Sequence, residues 1–162
     1  VAVGVALDCK MRGQRNWVVV MTGDGELNEG SNWEALLIAR AYRLDNLVVL
    51  VDRNGFQANA ATEVIMPLEP LAKKLEAFGC RTSWLNGHDF GDMDATFNLL
   101  PFEAGRPSAI VAQTVRGQGL PSLENRADRW FCNFTAEEVV ALLRELHGER
   151  RAALTSDVLV VR

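Results

Sequence analysis

The sequence predicts an α/β protein built on an open, mainly parallel sheet with helices on both faces. Two observations carry this expectation. Four short β-branched or apolar runs, residues 17–21, 47–51, 82–85 and 109–115, stand apart from one another, and the segments between them have helical period. Strands alternating with helices are joined by crossovers, which makes neighbouring strands parallel and covers both sheet faces. The composition agrees, with 48% hydrophobic and 23% charged residues in 162, enough to bury one core.

Taken in order, residues 1–10 read as the middle of a small-residue helix, and Val1 has no capping residue ahead of it. A missing upstream segment is therefore expected. After the first strand, Trp33, Leu36, Leu37, Ala41 and Leu44 recur at three and four, and Ser31 with Glu34 has the spacing of a capping box. Helices are also expected over 68–78, between Pro67 and Gly79, and over 93–103, closed by Gly105. Thr135 with Glu138 forms a second capping box, followed by Val139, Leu142, Leu143 and Leu146 on one face and a stop at Gly148. Residues 1–148 are read as one domain and 149–162 as a tail or linker, whose end could also be a strand.

Several function classes fall away. A net charge of −4 lacks the surplus Lys and Arg of a phosphate-backbone footprint, which argues against nucleic acid. The longest apolar stretch is about seven residues, far below the ~18 of a membrane span. Cys9, Cys80 and Cys132 are far apart with no Cys-x-x-Cys, and only two histidines accompany them, so neither a disulfide framework nor a zinc site is expected. This cysteine usage predicts a reducing cytoplasm.

In an open parallel sheet, ligands sit beyond the carboxyl ends of the strands. Two such ends are rich in chemistry. Residues 22–30, Thr-Gly-Asp-Gly-Glu-Leu-Asn-Glu-Gly, run off the first strand, and residues 52–56, Asp-Arg-Asn-Gly-Phe, run off the second. One strand-helix-strand unit separates Asp24 from Asn54, which can bring them to adjacent strand ends. A carboxylate, an amide and a backbone carbonyl suit magnesium or calcium, and magnesium leaves positions for phosphate oxygens. Gly23 and Gly25 allow close backbone approach, and the Gly25 amide can donate to a phosphate. Other phosphate motifs fail: there is no G-x-G-x-x-G, and the Gly25 to Ser31 spacing lacks the P-loop lysine. An EF-hand starting at Asp24 would need Gly where Glu29 stands and Glu where Ala35 stands. Taken alone, Asp24 between glycines is more often the residue of a turn at a strand end than a metal ligand. The long irregular stretches 54–67 and 117–134 are further expected sites of ligand contact.

Gly-Asp-Gly followed some thirty residues later by Asn, each after an apolar strand, resembles the thiamine diphosphate signature. The run 23–30 with Trp33-Glu34-Ala35 is similar to transketolases in particular. Further similarity follows in order: residues 54–57, 66–72, Phe78-Gly79, 86–90, 105–107 and 114–119. The resemblance extends to Leu146 and implies the amino-terminal section of a transketolase, whose reaction is transfer of a two-carbon ketol unit between sugars or sugar phosphates. It implies that Asp24, Asn54 and the Phe56 carbonyl hold Mg²⁺, and that Gly23, Asp24, Gly25, Glu26, Asn54 and Phe56 bind thiamine diphosphate. Glu29 and His88 are the candidate catalytic residues. The glutamate matching Glu29 belongs to a carboxylate network near the subunit interface, and the cofactor-activating glutamate lies on a pyrimidine-binding section that this sequence lacks. A pyrimidine-binding partner and a homo-oligomer or heterotetramer are implied, and the chain alone is expected to be inactive. One departure concerns the loop before the last helix, where transketolases commonly carry a Trp-His pair; residues 125–133 contain no histidine. Alternatives are a subunit that binds a partner without turnover, deoxyxylulose phosphate synthase, or the alpha chain of a 2-oxo acid dehydrogenase.

The same residues have plainer readings. Glu29 can serve only the positive end of a helix dipole. His88 is either a substrate contact or a loop histidine bonded to Asp89, and His147 fits a helix terminus. Arg116, Gly117 and Gly119 form a turn that can face the diphosphate or a partner. Trp17, Trp33 and Trp84 are expected as core or interface bulk, not as stacking platforms.

Overall fold

The computed structural model describes residues 1–129, 133–148 and 153. Trp130, Phe131, Cys132 and the tail from Glu149, apart from Ala153, lie outside the described residues. The elements run α1 (Ala2–Met11), β1 (Val18–Gly23), a 3-10 turn (Asp24–Asn28), α2 (Gly30–Ala41) and β2 (Leu47–Arg53). A short hairpin, β3 (Phe56–Gln57) and β4 (Ala60–Ala61), leads to α3 (Thr62–Ile65) and α4 (Leu71–Ala77). Then come β5 (Arg81–Asn86), α5 (Phe90–Phe97), β6 (Ser108–Gln113), a 3-10 turn (Ala127–Arg129) and α6 (Ala136–Leu146).

The main sheet has the order β1-β2-β6-β5 with every pair parallel, as the alternating pattern predicts. Side chains of successive strand residues alternate between the two faces. Leu47, Val49, Val51, Ala109 and Val111 meet Ala6 of α1, Leu36 and Ala39 of α2, and Leu71 and Leu75 of α4 in one core cluster. Val48, Ile110, Ala112 and Leu85 face the other way, against Met93 and Phe97 of α5 and the following Leu100 and Phe102. The β1-to-β2 crossover thus packs on one face and the β5-to-β6 crossover on the opposite one. From β2 the chain passes on to the outer strand β5 and turns back to β6 over the other face, so β2 and β6 lie side by side where the crossovers change face. Such folds place ligands beyond strand ends of this kind.

The cover is incomplete over β1. Val18 and Val20 pack into the first cluster, whereas Val19 and Met21 alternate to the other face and are 51% and 67% exposed. Trp17 and Trp84 are 48% and 44% exposed, so of these three tryptophans Trp33 is the one that packs against the core. Its Nε1–H donates to the Leu27 carbonyl and its ring tilts against Phe78. Burial pushes the Cys80 thiol up to about 12, which leaves it a core residue without thiolate chemistry.

Element boundaries depart from the sequence reading where local chemistry intervenes. Ser31 lies inside α2; the N-cap is Glu29, with no side-chain cap hydrogen bond, so the Ser31–Glu34 capping box does not form. Helix α5 begins earlier than expected because Asp89 caps it, accepting from the N–H groups of Gly91 and Asp92. It ends at Phe97, well before Gly105, and Pro101 keeps it from running on through the expected span. Helix α4 starts only after Pro70. The Thr135–Glu138 capping box of α6 forms as read, and His147 is that helix's C-cap.

Leu75 is fully buried, so Leu75→Ala is expected to cost about 2–5 kcal/mol in urea unfolding. Asp45 binds the turn before β6 to the start of the sheet, accepting from the Gly105 N–H at 2.8 Å and pairing with Lys10 at 3.4 Å. Burial alone would raise its pKa, but the Gly105 N–H and the Lys10 ammonium outweigh it and hold the carboxyl below its ordinary value. A lowered folded pKa makes this stabilisation present above the ordinary value and lost as pH falls through the folded one. Asp45→Asn is therefore expected to cost about 1 kcal/mol at neutral pH, with the difference from the parent vanishing in acid.

Candidate functional site

The register sets the site. Gly23 of β1 pairs with Asp52 of β2, so Asp24 stands beside Arg53 at the carboxyl edge of the sheet. The chain then tightens into the 3-10 turn, where the Glu26 carboxylate accepts from the Gly23 N–H at 2.7 Å. Asp24 is completely buried. Its Oδ1 accepts from the Gly25 N–H at 2.8 Å, and its Oδ2 accepts from the Gly55 N–H at 2.8 Å and from Arg53 Nη1 at 2.6 Å. Gly55 reaches this position at φ +84°, a left-handed conformation that glycine adopts without strain. The loop carrying Asn54 and Phe56 is thereby drawn against Asp24.

Arg53 is 10% exposed at its side chain and forks among three carboxylates. Besides Asp24, its Nη2 donates to Glu63 at 2.8 Å and to Glu69 at 3.1 Å. Burial works against the charged guanidinium, but hydrogen bonds to Asp24 and then Glu69 outweigh it and hold its pKa above the ordinary value. Burial also opposes the Glu63 carboxylate, yet the Leu68 and Glu69 N–H groups and Arg53 keep its pKa lowered.

Asp52, one residue earlier, serves a different set. Thr114 Oγ1 donates to Asp52 Oδ1, and Asn54 Nδ2 donates to Asp52 Oδ2 at 3.0 Å. Because a carboxylate accepts only, this bond fixes which end of the Asn54 amide is nitrogen. The Asn54 oxygen then accepts from the Phe56 N–H at 2.9 Å.

The β3–β4 hairpin closes over the 3-10 turn. Asn28 Nδ2 donates to Gln57 Oε1 at 2.8 Å, and a Cβ on Gly25 would come within 2.8 Å of the Gln57 side chain. Glycine is required there by close approach. Arg116, after β6, donates to the Ala58 carbonyl at 2.8 Å with its guanidinium 5.1 Å from the Phe56 ring centre. It therefore clamps the hairpin.

Beyond the strand ends lie two adjoining clefts. One of about 890 Å³ is lined by Arg53, Asn54, Trp84 and His88, and one of about 440 Å³ by Met21, Asp52, Phe97 and Arg116; Asn54, His88 and Thr114 border both. His88 does not bond to Asp89. Its Nε2 accepts from the Val115 N–H at 2.7 Å, and its own N–H donates to Asn86 Oδ1 at 3.0 Å. That bond ties the β5 end to the β6 end. Glu29 is exposed at the start of α2, away from the Asp24 contacts.

The structure thus brings Asp24, Gly25, Asn54 and Phe56 into one neighbourhood, with Gly23 and Glu26 bracing its turn, and leaves Glu29 on the surface. Among the described residues no group of three or more His, Cys, Asp or Glu side chains is placed to hold a metal. A cation here would have to use one carboxylate with amide and carbonyl oxygens, a hard donor set of the kind Mg²⁺ accepts. The donor chemistry fits, and the Asp52 bond aligns one of its members. Sequence reading marks residues 52–56 as rich in chemistry but gives Asp52 and Arg53 no role of their own, and it gives none to Thr114 or Glu69; the available signal is the Asp-Arg pair directly at the end of an apolar strand.

Comparison with known proteins places this geometry in a family. The family model for the transketolase thiamine diphosphate binding domain matches residues 10–157. One of the subunits of an apulose-4-phosphate transketolase from Actinobacillus succinogenes is 39% identical over 92% of this chain and 54% of its own. A 6-deoxy-6-sulfo-D-fructose transketolase subunit from Clostridium sp. is 34% identical over 91% of this chain and 54% of its own. The chain thus spans about half the length of these curated relatives. A crystal structure of transketolase from Campylobacter jejuni shares the fold with a TM-score of 0.72 at 23% identity, covering 98% of this chain and 26% of that one. The register-set strand ends, the Gly-Asp-Gly turn and a family match over most of the sequence have one conclusion: the chain belongs to the transketolase family and carries its thiamine diphosphate-binding domain.

Proposed function

We propose that this chain supplies the Mg²⁺-diphosphate half of an active site that transfers a two-carbon ketol unit between sugars or sugar phosphates. The observation that supports this best is the buried Asp24 carboxylate, bonded to the N–H of Gly55 beside Asn54, at the carboxyl edge of a parallel sheet. Asp24, Asn54 and the Phe56 carbonyl would hold the ion, and Gly23, Gly25 and Glu26 would shape the turn around the diphosphate. Thiamine diphosphate, when bound, supplies the nucleophilic carbon that takes up the ketol unit. The protein's part on this chain is orientation: Asp52 fixes the Asn54 amide, Arg116 holds the hairpin down, and His88 joins the β5 and β6 ends at the cleft. The names of the relatives, subunits acting on phosphorylated or sulfonated sugars, support a sugar-phosphate class of substrate.

Their designation as subunits also supports a partner subunit. In this reading the partner would carry the pyrimidine-binding section and the cofactor-activating glutamate, the assembly would be a homo-oligomer or heterotetramer, and its place would be the cytoplasm. Glu29 would act at that interface, in keeping with its exposure, and His88 would face substrate. The second reading, a subunit that binds cofactor or partner without turnover, is favoured by one observation: residues 125–133 hold no histidine. A ketol-transfer assay with and without a pyrimidine-binding subunit decides between them; turnover only with the partner supports the first.

Two variants test the ligand assignment. Asp24→Ala is expected to abolish Mg²⁺-dependent thiamine diphosphate binding in calorimetric titration, and unchanged affinity would remove the metal assignment. Asp52→Ala, which frees the Asn54 amide to turn, is expected to weaken Mg²⁺ by about 10- to 100-fold, as loss of an outer orienting partner does.

A further inference from the structure

We propose that Arg53 is the resident counter-ion of Asp24 and competes with the divalent cation for that carboxylate, so that the cation binds by turning Arg53 onto Glu63 and Glu69. This rests on the ligand reading of Asp24 given above and adds a residue that limits the affinity of the site. Asp24 is fully buried, and a buried carboxylate is costly unless an opposite charge meets it. Among the described residues, Arg53 is the cation that makes an ion pair with it, Nη1 lying 2.6 Å from Oδ2. A divalent ion coordinating Oδ2 would stand within a few ångströms of that guanidinium, where two positive charges repel strongly.

The guanidinium has somewhere to go. Its other donors already reach Glu63 Oε1 at 2.8 Å and Glu69 Oε1 at 3.1 Å, with Nε at 3.4 Å from the latter. Both acids lie toward the surface, 40% and 48% exposed at their side chains, against none for Asp24. Five N–H donors allow Arg53 to keep two carboxylates while releasing the third. Glu63 also accepts from the Leu68 N–H and Glu69 from the Leu71 N–H, so the same pair of acids anchors the start of α4. Occupation of Asp24 by a cation is thereby linked to the 62–71 segment through one side chain.

The test is Mn²⁺ binding, read from the electron paramagnetic resonance signal of the free ion, on the full chain at one fixed thiamine diphosphate concentration. Arg53→Gln is expected to bind Mn²⁺ at least about tenfold more tightly than the parent, because repulsion and competition are both removed. Without metal its thermal midpoint falls below that of the parent, and saturating Mn²⁺ raises it by more than it raises the parent's. Arg53→Lys, which keeps the charge but loses the fork, is expected to fall between the two and carries the test if circular dichroism shows Arg53→Gln unfolded. Equal or weaker Mn²⁺ affinity in the folded variant overturns the competition. Asp24→Asn separates the two layers: loss of Mn²⁺ binding there with an unchanged Arg53→Gln affinity overturns only the role of Arg53. Parent-like binding in Asp24→Asn overturns the ligand reading and the competition together.

Discussion

A single negative charge with no access to water, the carboxylate of Asp24, organises the carboxyl edge of this sheet. Every group that approaches it is a donor: the N–H of Gly25, the N–H of Gly55 and the guanidinium of Arg53. Desolvating a carboxylate is tolerable only with such compensation. The two glycines are consequences of that need. One lets the loop after β2 turn back to deliver its N–H, and the other lets the hairpin side chain of Gln57 lie directly over the turn. Replacing the local chain with bulkier residues would move donors away from a charge that cannot relax toward solvent.

Strand β2 divides the labour by its own periodicity. Successive residues leave a strand in opposite directions, so Asp52 and Arg53, adjacent in sequence, serve separate networks. Asp52 reaches Thr114 and Asn54, whereas Arg53 reaches Asp24 and the two acids ahead of α4. Because β2 is flanked on both sides by parallel partners, its register against β1 and β6 fixes both networks relative to one another. The ligand neighbourhood is therefore built directly onto paired strand ends.

Much of this architecture is legible in residue order. The alternation of apolar runs with helical period identifies all four strands of the main sheet, and the Thr135–Glu138 pair locates α6. The spacing of Asp24 and Asn54 across one crossover anticipates their place at adjacent strand ends. What escapes has no period to read. Two-residue strands such as β3 and β4 carry no alternation, and the 3-10 turn is set by one Glu26 hydrogen bond. The ends of α4 and α5 answer to prolines and to Asp89 more than to apolar spacing. Arg53 escapes because a charged residue at a strand end reads as solvated; only the fold reveals that it faces a buried acid. His88 has Asp89 beside it in sequence, but the parallel pairing of β5 and β6 brings Val115 closer.

The uncovered strip along β1 has a practical meaning. Among the described residues β1 is an outer strand of the sheet with its second edge unpaired, and Val19 and Met21 lie on the α5 side of the sheet, where they are 51% and 67% exposed. An outer strand with apolar side chains is a template for strand addition by like molecules. A charged substitution on that strip would therefore blunt this edge as a template without touching the core.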